Sequence, residues 1–360
     1  MFLSALFVPK EILIKGLQVA DGPVSLSWES VLRLSLSQNT HAIMYSNLRK
    51  IQGDMDERIP EIFMKKLREL YYKAAARDAI LYNEFGKICD ALNRVGVEFM
   101  PIKGAVIAYS IYPESHLRPF KDIDILLNTS ELPRIVEKEL AELGYELHNP
   151  GFKTSPFFLK KTSAGPISIE LHGQGYAWNR LHRSHQLDYS LIGKDLWQRS
   201  KIKHIQSVKV KTMSPEDLLL ITCLNRADLA DLRLMDVNDV MGVLTQHADA
   251  FDWNYVERKL SMTGAVIVFH LLQSFIKSVY GLDVVPRAFQ TTLEKDVRNR
   301  LFGHMFGKAS ILQNAQDFQL LYLVYRAIFL DNYDIRHQFI NTGHLKNLLQ
   351  ARIVGRRRDV

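Results

Sequence analysis

The stretch IKGAVIAYSIYPESHLRPFKDIDILL, from Ile102 to Leu127, places two aspartates one residue apart inside an apolar run typical of a buried strand. Residues two apart on a strand face the same way. Asp122 and Asp124 therefore project together, while Ile123 and Ile125 point toward the core. Two neighbouring carboxylates repel each other by on the order of a few kcal/mol unless a cation lies between them. The pair predicts a divalent metal site on a small sheet.

A third carboxylate is found in ISIELHG, residues 167–173. Glu170 alternates with apolar residues there as the two aspartates do, and His172 shares its face. If this strand lies beside DIDILL, the three acids Asp122, Asp124 and Glu170 converge as metal ligands. Oxygen ligands without sulfur or clustered imidazole suit magnesium or manganese, which usually share their coordination with water and substrate phosphates.

Groups that bind phosphate are also present in the opening stretch. Lys103 and Gly104 stand where a predicted strand turns into a helix, so backbone N–H groups and the positive end of the helix dipole are available to an anion. Arg118 comes four residues before Asp122 and is predicted to contact the same phosphates bidentately. His172 is predicted to lie in the cleft and to contact the nucleotide or its acceptor.

Each of these features has a simpler interpretation. A lone Asp-x-Asp also fits a solvated strand edge, Gly104 can simply end a strand, and Glu170 can form an ordinary ion pair with Arg118 or a lysine. His172 could instead bind zinc with His182 and His185, but that spacing lacks a firm fourth ligand. The order of the parts within one α/β unit favours the metal-dependent phosphate site.

The periodicity of the chain predicts an α+β protein, with a small mixed sheet flanked by helices. Helical spacing runs through the N-terminal part and predicts a long helix that ends at Gly96. Strand patterns follow, the last of them HIQSVKVKTM, and helical patterns return at Ser214. The predicted regions are a helical N-terminal region (1–85), an α/β core (86–212), a helical C-terminal domain (213–345) and a basic tail (346–360).

Composition narrows the class of protein. A formal charge of +7 and a pI near 9.2 favour polyanionic partners. Two cysteines in apolar helical contexts suggest neither a disulfide framework nor a thiolate metal site, so a cytoplasmic location is expected. No apolar window is long enough for a membrane span, so no membrane association is predicted. Acids from 228 to 239, including Asp236 and Asp239, either line the cleft or form a solvated helix face, and the solvated face is favoured.

Together the motifs resemble a known family. The Lys-Gly, Tyr-Pro, Arg-Pro and Asp-x-Asp elements of residues 102–127 resemble the signature of the uncharacterised bacterial nucleotidyltransferases within the DNA polymerase β-like superfamily. ELGYEL, ISIELHG, MSPEDLLLITCLNRADLADLRLMDVNDVMGVL and FDWNYVERKL extend the likeness over about residues 81–260. The resemblance implies a minimal nucleotidyltransferase sheet, with Asp122 and Asp124 binding metal and Glu170 completing the triad. Two departures stand out: KGA replaces the superfamily's usual Gly-Ser, and the third acid is Glu rather than Asp.

The function that this resemblance implies is transfer of a nucleoside monophosphate from a nucleoside triphosphate, such as ATP, to an acceptor hydroxyl, with magnesium or manganese as cofactor. A small molecule or natural-product intermediate is favoured as the acceptor. Two alternatives stay open: a toxin-like transferase that modifies tRNA or protein, and a decayed transferase that acts as a binding protein.

Overall fold

The computed structural model describes residues 27–55, 59–129, 131–149, 156–163, 165–173, 189–225 and 233–263, with scattered positions between 266 and 285. Its helices are α1 (Trp28–Ser37), α2 (His41–Met55), α3 (Glu61–Arg94), α4 (Gly104–Ile111), α5 (Arg134–Glu142), α6 (Tyr189–Arg199), α7 (Pro215–Asn225), α8 (Leu234–His247) and α9 (Trp253–Thr263). Its strands are β1 (Phe99–Ile102), β2 (Asp122–Leu127), β3 (Glu146–Asn149), β4 (Phe157–Lys160), β5 (Ile167–His172), β6 (Lys201–Ile205) and β7 (Val208–Thr212). Short 3₁₀ helices cover Ser115–Leu117 and Ala248–Ala250.

The long helix α3 follows from its apolar spacing. Phe63, Leu67 and Tyr71 fall on one side and are all buried. The helix ends at Arg94, and the predicted stop signal Gly96 follows two residues later with a φ of 68°, which glycine adopts at little cost. The Val97 N–H donates to the carbonyl of Leu92 and the Gly96 N–H to that of Asn93, which satisfies carbonyls in the last turn.

A five-stranded mixed sheet with the order β1-β2-β5-β4-β3 forms the centre. β1 pairs antiparallel with β2, β2 parallel with β5, and β5, β4 and β3 antiparallel in turn. The parallel β2–β5 pair sets the Asp-x-Asp strand beside the strand that carries the third predicted acid. The predicted α+β class and the β4–β5 hairpin are confirmed.

The core lies between one face of this sheet and the long helix. Ile123 and Ile125 of β2 and Ile169 of β5 are fully buried and pack in one cluster with Phe85 and Ile88 of α3. Strand alternation then places the side chains of Asp122, Asp124 and Glu170 on the opposite face. Packing on one face thus fixes the orientation of the acids on the other.

Two local expectations differ from the structure. The single predicted strand HIQSVKVKTM belongs to a hairpin, β6–β7, that forms its own two-stranded sheet. Gln206, with a φ of 52°, makes the turn between the two strands, so the polar break inside the segment is a reversal of the chain. The pattern ELPRIVEKELAELG predicts a helix capped by Ser130, whereas helix α5 begins after Pro133 and Ser130 lies outside the described residues.

The chain divides into two compact units. The first contains residues 1–176, 189–222 and 233–251, so the sheet shares a unit with the N-terminal helices and with α8. The second contains 177–188, 223–232 and 252–360, and its described part includes α9. The four predicted regions stay predictions, and the basic tail lies outside the described residues. No helix in the described part of the chain is long and apolar enough to cross a membrane.

Candidate active site

The register of β2 and β5 brings the predicted acids to one place. Asp124 is opposite Glu170 and Asp122 is opposite Ser168, so all four side chains share a face. One ligand atom each from Asp124, Glu170 and His172 can be chosen so that all three lie within 4.8 Å of one another. Asp122 lies on the same face, two register positions away, and is not part of that group.

His172 is the innermost member of the cluster. Its side chain is fully buried, and its Nε2 lies 2.8 Å from Asp124 Oδ1 and 3.7 Å from Glu170 Oε2. The imidazole thus fixes the orientation of Asp124. Its predicted zinc partners, His182 and His185, lie outside the described residues.

Lys103 carries a positive charge into the same cluster. It is the residue before α4, and its φ of 53° and ψ of −127° are unusual for a side chain with a Cβ. Its ammonium contacts Asp124 Oδ1 and lies 3.7 Å from Glu170 Oε2. The sequence predicted that Lys103 binds phosphate, whereas here its charge faces carboxylates.

The acids remain short of positive charge. Burial, and then the charge of Asp124, raise the pKa of Asp122, and Lys103 and Arg118 offset this only in part. Burial and Asp124 likewise raise the pKa of Glu170 against the opposing effect of Lys103. Both carboxylates would ionise more readily with another cation nearby. This charge deficit and the oxygen-rich donor set fit a divalent metal.

Gly104, the first residue of α4, lies where no side chain fits. A Cβ there would lie 2.7 Å from Phe120 Cβ and 2.9 Å from Arg118 Nη1. Glycine is therefore required by the close approach of the Arg-Pro-Phe segment to the start of the helix. Helix α4 starts two residues after Ile102, which is paired with Asp124 across β1 and β2.

Arg118 has a different main partner from the predicted one. Its Nε and Nη2 donate to the carboxylate of Asp239, with Nη2 2.7 Å from Oδ2. The bidentate capacity expected for phosphate is therefore used within the protein. The remaining nitrogen, Nη1, lies beside Gly104, 2.9 Å from the position that a Cβ would take there.

Asp239 was not identified by sequence, since a solvated helix face was favoured for it and for Asp236. That expectation is wrong, because the two side chains are only 1% and 2% exposed. Asp239 also accepts a hydrogen bond of 2.7 Å from the Tyr112 hydroxyl. The available signal was LMDVNDVMGVL, which is apolar on every side and therefore indicates a buried helix. Asp228 and Asp231 lie outside the described residues.

This arrangement, with acids on adjacent strands beside a strand-to-helix turn, is what a nucleotidyltransferase requires. Residues 25–281 match the family model described as "Uncharacterised nucleotidyltransferase", so the chain belongs to that family and is an enzyme of the nucleotidyl-transfer class. The resemblance predicted from the motifs is confirmed.

Two solved structures show remote likeness. An antigenic nucleotidyltransferase-like protein from Paracoccidioides brasiliensis is 14% identical with a TM-score of 0.37, and the match covers 58% of this chain and 95% of that one. The antibiotic-resistance factor ANT(2'')-Ia is 14% identical with a TM-score of 0.34, over 57% and 95% of the two chains. No curated protein sequence matches the chain.

Proposed function

We propose that this nucleotidyltransferase moves a nucleoside monophosphate from a nucleoside triphosphate to the hydroxyl of a small-molecule acceptor, with magnesium or manganese as cofactor. The observation that supports this best is the parallel pairing of β2 with β5, which sets Asp124 opposite Glu170 with Asp122 on the same face. Two buried free thiols, Cys89 and Cys223, fit the cytoplasmic location that is part of the proposal.

Asp122, Asp124 and Glu170 would hold the metal, and His172 Nε2 is close enough to join them. When bound, a divalent cation supplies charge neutralisation for the pyrophosphate leaving group and lowers the pKa of the acceptor hydroxyl. An imidazole among carboxylates is compatible with manganese as well as magnesium.

The groups that would bind the triphosphate surround Gly104. The N–H groups at the start of a helix can bind an anion, and Arg118 Nη1 lies beside Gly104 at the start of α4. Lys103 can reach phosphates that bind there, since its ammonium ends a flexible four-carbon stem. Arg118 therefore acts in two ways in the proposal: it anchors to Asp239 and offers one nitrogen to phosphate.

Glu170 is better placed than Asp124 to meet the acceptor. Its side chain is 29% exposed, whereas that of Asp124 is 2% exposed. Its raised pKa brings it nearer to the range in which a carboxylate can accept a proton from a hydroxyl. Glu170 would therefore hold the cation, take the proton, or do both in turn.

The acids are tested by substitution. Asp124→Asn and Asp122→Asn each keep the shape of the side chain but remove the charge that binds metal, and we expect turnover to fall by about 100-fold or more. Pyrophosphate release and transfer of label from triphosphates measure this in the presence of cell-extract metabolites. Asp90→Asn, an exposed change on α3, is the matched control and should keep full activity.

Normal nucleotide transfer by Asp124→Asn, in a folded protein, would contradict the assignment. If the label appears on RNA or protein and not on small metabolites, the proposed small-molecule acceptor is wrong, whereas the proposed nucleotidyl transfer stands. Modification of RNA should in addition weaken steeply with salt, because phosphate contacts release counterions.

A further inference from the structure

Lys103 holds an unusual place in the candidate site. Its backbone is in a conformation that side chains with a Cβ rarely adopt, and it directly precedes the phosphate-binding turn of α4. Residues in such conformations cluster at functional sites, where surrounding structure holds them. The effect here is that the side chain turns back from the helix onto β2 and β5.

The ammonium of Lys103 contacts the carboxylates that a metal would need. It touches Asp124 Oδ1 and lies 3.7 Å from Glu170 Oε2, and these two acids belong to the closest metal-ligating group in the described part of the chain. The Lys103 side chain is only 17% exposed, so water screens its charge weakly. A divalent cation at the same oxygens would meet strong repulsion from the ammonium at its present position.

We propose that Lys103 occupies the cation position between Asp124 and Glu170 while the site lacks nucleotide, so that the metal binds tightly only together with the triphosphate. This inference rests on the proposed function and adds an order of binding to it. Without nucleotide, the ammonium offsets part of the negative charge of Asp124 and Glu170, and it moves to the phosphates when they reach the start of α4.

The geometry supports such a movement. Lys103 is the residue immediately before α4, so phosphates at the first N–H groups of that helix lie within the sweep of its own side chain. A triphosphate carries several negative charges and competes with the carboxylates for the ammonium. Since coupling is reciprocal, the nucleotide must strengthen metal binding by the factor by which the metal strengthens nucleotide binding.

The test measures free manganese by electron paramagnetic resonance, with and without a non-hydrolysable triphosphate analogue. We expect the wild-type protein to bind manganese about 10-fold or more tighter when the analogue is present. Lys103→Met should bind manganese alone at least about 10-fold tighter than wild type does, and the effect of the analogue should shrink.

Two further variants control the experiment. Lys103→Gly removes the same ammonium and suits the positive φ, so it gives the same comparison if the methionine variant fails to fold. Lys121→Met removes an exposed lysine next to Asp122 and should bind manganese as wild type does. This variant shows whether the effect is specific to the Lys103 ammonium or follows from any loss of positive charge nearby.

The outcomes are separable. Wild-type protein that binds manganese alone as tightly as Lys103→Met and Lys103→Gly would overturn the inference, and the proposed function would stand. A Lys121→Met variant that matches Lys103→Met would also overturn it. If no variant binds manganese even with the analogue, the metal-dependent function itself is contradicted.

Discussion

Gly104 shows how tightly the residues of this site are packed. A methyl group there would press on Phe120 Cβ at 2.7 Å and on Arg118 Nη1 at 2.9 Å, and the Phe120 contact is close to the backbone and yields little. We expect Gly104→Ala to destabilise the protein by about 1–3 kcal/mol and to weaken triphosphate binding, because α4 or Arg118 must shift. Urea unfolding and equilibrium binding of a triphosphate measure the two effects.

The control for this prediction is Gly86→Ala in the middle of α3. A methyl group there would meet Val208 Cγ2 at 3.5 Å, an ordinary contact. Since alanine favours helix over glycine by about 1 kcal/mol, this variant should be as stable as wild type or more so. Equal effects of the two substitutions would show that the close packing around Gly104 is not what matters.

Sequence predicts the identity of the site's residues better than it predicts their partners. Alternation along each strand predicts that Asp124 and Glu170 point away from the core, and the pairing of β2 with β5 brings them to one face. The contact of Lys103 with these acids depends on a positive φ that no local pattern reveals. The ion pair of Arg118 with Asp239 joins residues far apart in the chain, and only tertiary packing determines it.

At the scale of elements, Arg118 connects α8 to the start of α4, where the triphosphate is proposed to bind. The chain of contacts runs from Asp239 on α8 to the guanidinium of Arg118, and from Arg118 Nη1 to the start of α4. The Tyr112 hydroxyl donates to Asp239 Oδ1, an oxygen that also accepts from Arg118 Nε. Because the Arg118–Asp239 pair is buried, water cannot replace either partner. An ion pair, and not only packing, therefore connects α8 to the start of α4.

Asp239→Asn tests this link. The variant leaves a buried guanidinium without its counter-charge, and we expect a loss of about 3 kcal/mol in the free energy of unfolding. Triphosphate should bind about 10-fold more weakly, while the corresponding nucleoside, which lacks phosphate, should bind unchanged. Urea unfolding and calorimetric titration of both ligands distinguish a defect in phosphate binding from a general loss of structure.

A surface pair provides the comparison. Arg94 and Glu139 form an ion pair of 2.9 Å in which the side chains are 66% and 12% exposed, respectively. Glu139→Gln should change stability by less than about 1 kcal/mol, because water still solvates the guanidinium of Arg94. If Asp239→Asn lowers the free energy of unfolding no more than Glu139→Gln does, the buried ion pair does not stabilise the link between α8 and α4. If Asp239→Asn weakens nucleoside and triphosphate binding equally, the pair has no specific effect on phosphate binding.

At the scale of the whole molecule, the sheet and its long helix follow from hydrophobic periodicity alone. Buried isoleucines on β2 and β5 determine which face meets α3, and the acids are then left on the other face. What periodicity leaves open is the assignment of helices to units, because α8 is apolar on all sides and gives no direction of packing. Its place in the unit that contains the sheet became visible only in three dimensions.

Two acids in that unit should make contributions to folding stability that change with pH in opposite directions. Burial alone would raise the pKa of Glu84, but hydrogen bonds from Lys160, Lys87 and Tyr145 outweigh it and hold the pKa below its ordinary value. The folded pKa of Asp122 is instead raised by burial and by Asp124. Glu84 therefore supports the structure as an ion, whereas Asp122 costs stability as an ion.

The pH dependence of stability follows from these directions. Glu84 contributes stability that is present above its ordinary pKa of about 4 and is lost as pH falls through its lowered folded value. The cost of Asp122 is absent in acid and grows as pH rises from about 4 past its raised folded value. At neutral pH in EDTA, Glu84→Gln should be less stable than wild type by about 1–3 kcal/mol, and Asp122→Asn more stable by about 1 kcal/mol.

Urea unfolding of the three proteins from pH 3 to pH 8 checks both signs. Both differences should shrink toward zero in acid, that of Glu84→Gln only at the lowest pH. The two variants serve as controls for each other, since each exchanges one carboxylate for an amide in the same unit. A loss of stability at neutral pH in Asp122→Asn would mean that its charge is already balanced within the protein, and the electrostatic demand for a metal at this site would then be absent.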